Sequence, residues 1–118
     1  MLLSLVAFLL QPVDPSLEDA GTSAREFLDQ HDAGGEEAGF NLLYLHGVSQ
    51  GLSWANVAME MDGKQPIYCP PENLTITVDQ NVQILRDHTD NNPEIEDFPV
   101  ALVFLLAVEN VFPCEGSG

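Results

Sequence analysis

Gly39 to Met61, GFNLLYLHGVSQGLSWANVAMEM, is the stretch on which the fold class turns. Its apolar and small residues fall at Phe40, Leu43, Tyr44, Gly47, Val48, Gly51, Leu52 and Ala55, the i, i+3, i+4, i+7 series of one helical face. The stretch therefore reads as a long amphipathic helix with that stripe turned to the core. Phe40 belongs to the stripe and Trp54 sits beside it, so both read as core aromatics. Gly47 and Gly51 lie one turn apart, and each costs about 1 kcal/mol relative to Ala in a helix, which close approach of another helix would offset. The Gly-x-x-x-Gly spacing signals membrane dimerisation only within an apolar span, and Asn41, His46, Ser49, Gln50 and Asn56 interrupt this one. The expectation is tight helix packing through Gly47 and Gly51 in a protein with no membrane span. A homodimer through the same two glycines is the intermolecular version of that contact.

Upstream, Ser23-Ala24-Arg25-Glu26 has capping-box spacing and starts a short helix that runs to about Gln30, stopped by Ala33-Gly34-Gly35. Glu36 and Glu37 then place negative charge where the next helix presents its positive N-terminal dipole. Downstream, Asp62-Gly63-Lys64-Gln65-Pro66 turns the chain into an extended Tyr68-Cys69-Pro70-Pro71. Thr77-Val78-Asp79-Gln80 repeats the capping-box spacing and begins a half-exposed helix with Val78, Val82 and Leu85 on one face. An acidic loop is expected over Asp87 to Asp97. Pro99 opens a helix holding Val100 to Val108, apolar on nearly every face, which should form the centre of the core. No strand-like alternation competes, so the fold class is all-α, a small single-domain bundle of four to five helices.

Two cysteines, Cys69 and Cys114, flank the last two helices. With no third ligand nearby they suit one disulfide better than a metal site, the alternative being two free buried thiols. The bond would close a loop of about 45 residues, worth roughly 4 kcal/mol in the chain-entropy description. It also implies an oxidising compartment, periplasmic or secreted.

The chain of 118 residues carries three basic residues, Arg25, Lys64 and Arg86, against nineteen acidic ones, a net charge of −16. Such a surface disfavours nucleic acid and anionic lipid and attracts a basic protein partner. Leu2 to Leu10 (LLSLVAFLL) has the length of a signal-peptide core, too short for a bilayer that needs about 20 residues. No Lys or Arg precedes it and no small-x-small site follows closely, so a remnant of a secretion signal and a buried N-terminal helix are the two readings. Residues 1–15, ending in Gln11-Pro12-Val13-Asp14-Pro15, are assigned to that segment and its linker, and residues 16–118 to the helical domain.

Tyr44-Leu45-His46-Gly47-Val48 with Gly51, then Tyr68-Cys69-Pro70-Pro71, Asn92-Pro93 and Phe112-Pro113-Cys114 resemble, in this order, the Rap/Tai-type immunity proteins of bacterial type VI secretion. The resemblance covers Phe27 to Cys114. It implies a small helical periplasmic protein that binds a peptidoglycan amidase delivered by a neighbouring cell and occludes its active-site groove. The further cysteines such proteins often carry in the long helix are absent, because Gly39 to Ala58 holds none.

Catalysis and metal chemistry find no support. A thiol followed by Pro70-Pro71 lacks the helix N-terminus that activates a nucleophile. Asp90, Asn92, Glu94 and Glu96 alternate as in a calcium loop, but Ile95 stands where Gly is required and Ala101 where a bidentate Glu belongs. His31, His46 and His88 lack ligand spacing, so neither metal nor cofactor is expected. The densest negative charge, Asp87, Asp90, Glu94, Glu96 and Asp97, is the candidate contact surface for a basic amidase, since such charges accelerate association. The rival readings are a stress chaperone resembling the HdeA acid-protection family and a structural helical module of the cell envelope.

Overall fold

The computed structural model describes residues 21–115, within which the chain forms four α-helices and one short 3-10 turn. Helix α1 spans Ala24–Ala33 and begins where Ser23 Oγ accepts the backbone N–H of Glu26 at 3.1 Å. It ends at Gly34 and Gly35, whose φ angles of 75° and 83° lie in the left-handed region where a side chain is strained. Helix α2 then runs from Gly35–Met61, four residues earlier than its periodicity suggests, with Glu36 and Glu37 in its first turn. Helix α3, Val78–Asn91, opens on a complete capping box: Gln80 N–H donates to Thr77 Oγ1, and Thr77 N–H donates to Gln80 Oε1. A 3-10 turn over Pro93–Ile95 leads to α4, Val100–Val111.

The fold is all-α with one disulfide, as the periodicity and cysteine arithmetic indicate. Cys69 and Cys114 are bonded across a sequence separation of 45, with Cα atoms 4.9 Å apart. Beside the bond, Cys69 N–H donates to the Phe112 carbonyl at 2.8 Å, so the approach to α3 and the exit of α4 are joined twice. The segment assigned to a secretion signal and linker, residues 1–15, lies outside the described residues.

Phe27 and Leu28 of α1, Leu45 of α2, Leu85 of α3, and Val100, Val103 and Phe104 of α4 are completely or almost completely buried. Each such side chain contributes about 1.5–3 kcal/mol of transfer free energy. Helix α4 buries one face, Val100, Val103, Phe104, Ala107 and Val108, while Leu102, Leu105 and Leu106 are only half-buried and Val111 is exposed. It is a wall of the core and not its axis, because four helices are too few to surround it.

The long helix departs most from expectation. Its inward face is Ala38, Leu45 and Asn56, supported by half-buried Asn41, Leu42, Val48, Ser49 and Leu52. The stripe assigned to the core points mostly outward: Phe40 is 63% exposed, Leu43 69%, Tyr44 50% and Trp54 68%. Among the described residues nothing packs on Gly47 or Gly51, since a Cβ built on either meets no atom within 4 Å. The physical reason is that α2 is apolar on two opposite faces, and periodicity alone does not say which one meets the bundle. Polar residues mask the inward face, yet they are bonded there. Asn41 Nδ2 donates to Gln30 Oε1 at 2.8 Å, and Asn81 Nδ2 donates to Ser49 Oγ at 3.1 Å.

A candidate interaction surface

The acidic segment is not one loop. Asp87 and Asp90 lie in the last turn of α3, Glu94 in the 3-10 turn, and only Glu96 and Asp97 on the connection to α4. Helix α3 continues to Asn91 because Asn92 Nδ2 donates to the His88 carbonyl at 2.8 Å and Asn92 N–H to the Thr89 carbonyl at 3.2 Å, which closes the last turn. The structure splits the five acids by role. Arg25 Nη2 bonds Asp90 Oδ1 at 2.8 Å while Arg25 Nε bonds Glu96 Oε2 at 3.2 Å. Hydrogen bonds to Asp90 and then Glu96 raise the Arg25 pKa further above its ordinary value.

That ion pair sits on a backbone seam. Ala24 N–H donates to the Phe98 carbonyl at 3.0 Å and Arg25 N–H to the Glu96 carbonyl at 2.9 Å, while Val100 N–H donates to the Thr22 carbonyl at 2.9 Å. The first amides of α1 and the start of α4 thus satisfy donors that a helix start leaves unbonded. Asp90 and Glu96 hold the fold together at this seam. Asp87, Glu94 and Asp97 make no ion pair among the described residues and project to solvent, Asp87 accepting only from Gln83 Nε2 at 2.7 Å.

The other two cations are also engaged. Arg86 grips Asp32 with two bonds of 2.6 and 3.1 Å, joining α3 to the end of α1, and Lys64 meets Asp62 at 3.1 Å. With every Lys and Arg paired to an acid, the remaining carboxylates give a surface of uncompensated negative charge. Beside Asp87 a shallow apolar groove is lined by Leu74, Ile76, Ile84 and Phe112.

A second exposed feature escaped sequence reasoning: the outer side of α2, where Phe40, Leu43, Tyr44 and Trp54 are joined by Val57 and Met61. The signal was present as a second periodic series, Leu42, Leu45, Val48, Leu52 and Asn56, which competes for the core side. Both cysteines are bonded to each other, and no group of three or more His, Cys, Asp or Glu among the described residues is placed to hold a metal ion. No described helix is long and apolar enough to cross a membrane. The arrangement is one of surfaces: an anionic edge at α3 and the 3-10 turn, and an apolar side along α2.

No curated protein and no solved structure shows a significant match to the chain. The family signature of the Rap1a immunity proteins matches residues 21–114, nearly all of the described fold from the start of the α1 seam to the second cysteine of the disulfide, and the chain therefore belongs to the Rap1a immunity protein family.

Proposed function

We propose that this protein is a periplasmic immunity protein that binds a peptidoglycan amidase effector of type VI secretion and occludes its active-site groove, acting by binding and not by catalysis. The observation that carries the proposal is the family match across residues 21–114. The Cys69–Cys114 disulfide supports an oxidising compartment such as the periplasm, where a cell-wall amidase would act.

The anionic edge supplies the chemistry of recognition. Asp87, Glu94 and Asp97 are exposed and without ion pairs among the described residues, so they attract a basic rim around a catalytic groove without breaking an internal contact. Steering of this kind raises the association rate at low ionic strength and fades as salt screens it. The test is calorimetric titration with the amidase encoded beside this protein, paired with an assay of muropeptide release. Tight binding that weakens with salt and abolishes hydrolysis is the expected result. Absence of binding to that amidase at low salt overturns the reading.

A further inference from the structure

We infer that a small cavity between α2, α3 and α4 binds the acetamido group of a neutral N-acetylated sugar. Ser49 and Ser53 lie one turn apart on α2, so their hydroxyls share a face. They line the cavity together with Tyr68 of the extended segment and Asn81 of α3. Asn81, Phe104 and Val108 are nearly buried and form its floor, whereas Gln50, Ser53 and Leu74 are exposed and mark its mouth.

The cavity measures about 160 Å³. That is the liquid volume of roughly five waters at about 30 Å³ each, and a site enclosing a whole small molecule starts at about 300 Å³. One functional group of acetamido size therefore fits inside, and the rest of the ligand stays at the mouth.

The polar groups set the chemistry of that group. Asn81 Nδ2 donates to Ser49 Oγ at 3.1 Å. This leaves Asn81 Oδ1, on a side chain only 4% exposed, with no donor among the described residues. An acceptor held in such a place costs free energy until something donates to it. Ser49 accepts from Asn81, so its own hydroxyl hydrogen is free to donate. Ser53 Oγ and the Tyr68 hydroxyl lie 3.3 Å apart and share one hydrogen bond, which frees the second hydroxyl hydrogen of that pair. One acceptor and two donors match a secondary amide, whose N–H reaches Asn81 Oδ1 while its carbonyl oxygen accepts from both hydroxyls. The methyl of the acetamido group then meets Ile76, Phe104 and Val108.

Charge narrows the ligand further. No charged residue lines the cavity. In a chain of net charge −16, an anionic ligand is repelled on approach and a cationic one is held at the exposed carboxylates instead. A peptide bond within a chain offers the same amide, but that chain must enter and leave, and a cavity of this volume admits only a terminal group. Gln50, whose side chain makes no hydrogen bond among the described residues, stands at the mouth to meet the hydroxyls of the sugar ring.

Isotope-labelled protein is titrated with N-acetylglucosamine, and the Asn81 side-chain amide and the backbone amides of Ser49 and Ser53 are followed by two-dimensional NMR. Saturable shifts with a Kd on the order of 1 mM are expected for a ligand that buries so few atoms. Glucose, which keeps the ring and lacks the acetamido group, should give none. N-acetylglycinamide, which keeps the acetamido group and lacks the ring, should bind several-fold more weakly than the sugar. Ser53→Leu places an apolar side chain across the mouth at an exposed helix position, so helical circular dichroism should be kept while affinity falls at least about tenfold. Asn81→Ala removes the acceptor and should abolish the shifts, and Ser53→Leu carries the test if the buried variant does not fold. No saturable shift with N-acetylglucosamine, equal shifts with glucose, or wild-type affinity in Ser53→Leu overturns the inference. Binding of N-acetylglycinamide as tight as that of the sugar overturns the assignment to a sugar. The inference does not rest on effector binding, so the failure of either leaves the other standing.

Discussion

Replacing Asn56 by Ala should destabilise the protein by about 2–4 kcal/mol, more than any other single polar change the structure points to. Asn56 is 8% exposed on the inward face of α2. Its Nδ2 donates to the Tyr68 carbonyl at 2.8 Å, and its Oδ1 accepts the Ile67 N–H at 2.9 Å. One amide thus reads both strand-like groups of an irregular segment, which has no helix or sheet to satisfy them. Deleting it leaves a donor and an acceptor unpaired, each costing about 1–3 kcal/mol, with the sum reduced where water reaches the site. Tyr68 itself is buried, and its hydroxyl lies 3.3 Å from Ser53 Oγ, so the segment cannot swing out to solvate without exposing an aromatic ring. The next residue is Cys69, and a loosened Ile67–Tyr68 therefore acts on the disulfide frame. Urea unfolding followed by circular dichroism measures the change, and Asn56→Asp is the informative companion. It keeps the acceptor for Ile67 but faces a carboxylate oxygen toward the Tyr68 carbonyl, so it should be at least as damaging as Ala. A loss below about 0.5 kcal/mol for Asn56→Ala would refute the reasoning, as would near-neutral behaviour of Asn56→Asp.

Three further outcomes are expected. Cys69→Ser with Cys114→Ser, or reduction of the wild type, should cost about 4 kcal/mol from the loop of 45 residues, read as a lower urea midpoint. A hydrogen bond from Arg86 holds the Asp32 carboxyl below its ordinary value of 3.8. A carboxylate with a lowered folded pKa stabilises above that ordinary value and loses its contribution as pH falls through the folded one. Asp32→Asn should accordingly lower stability at pH 7 and flatten the fall of Tm below about pH 4, as thermal melts across pH 2–7 would show. Among the acids, Glu94→Lys or Asp87→Lys should slow effector association several-fold at low salt with Tm unchanged, whereas Asp90→Asn should lower Tm by releasing Arg25. Stopped-flow binding and thermal melts separate the two classes.

The sequence by itself determined the helical class, the disulfide and the starts of α1, α3 and α4, because these rest on local or near-local physics. Thr77 and Gln80 bond each other across one turn, Gly34 and Gly35 stop α1 through their own backbone preference, and two cysteines without a third partner leave few options. The same reading extended the acidic loop back to Asp87, since nothing in composition marks the Asn92 contact that carries α3 to Asn91.

Only the tertiary structure decided which side of α2 faces inward and which acids are free. A helix with Phe40, Gly47 and Trp54 on one side and Leu45, Leu52 and Asn56 on the other satisfies helical periodicity either way. The choice was made by partners distant in sequence: Gln30 for Asn41, Asn81 for Ser49, and Ile67 and Tyr68 for Asn56. Asp90 and Glu96 resemble Asp87 and Glu94 as residues, and only Arg25, brought from the far end of the described chain by the α1 seam, distinguishes them. Local propensity specifies an element, whereas its orientation depends on which polar groups find partners and which apolar surface is left over.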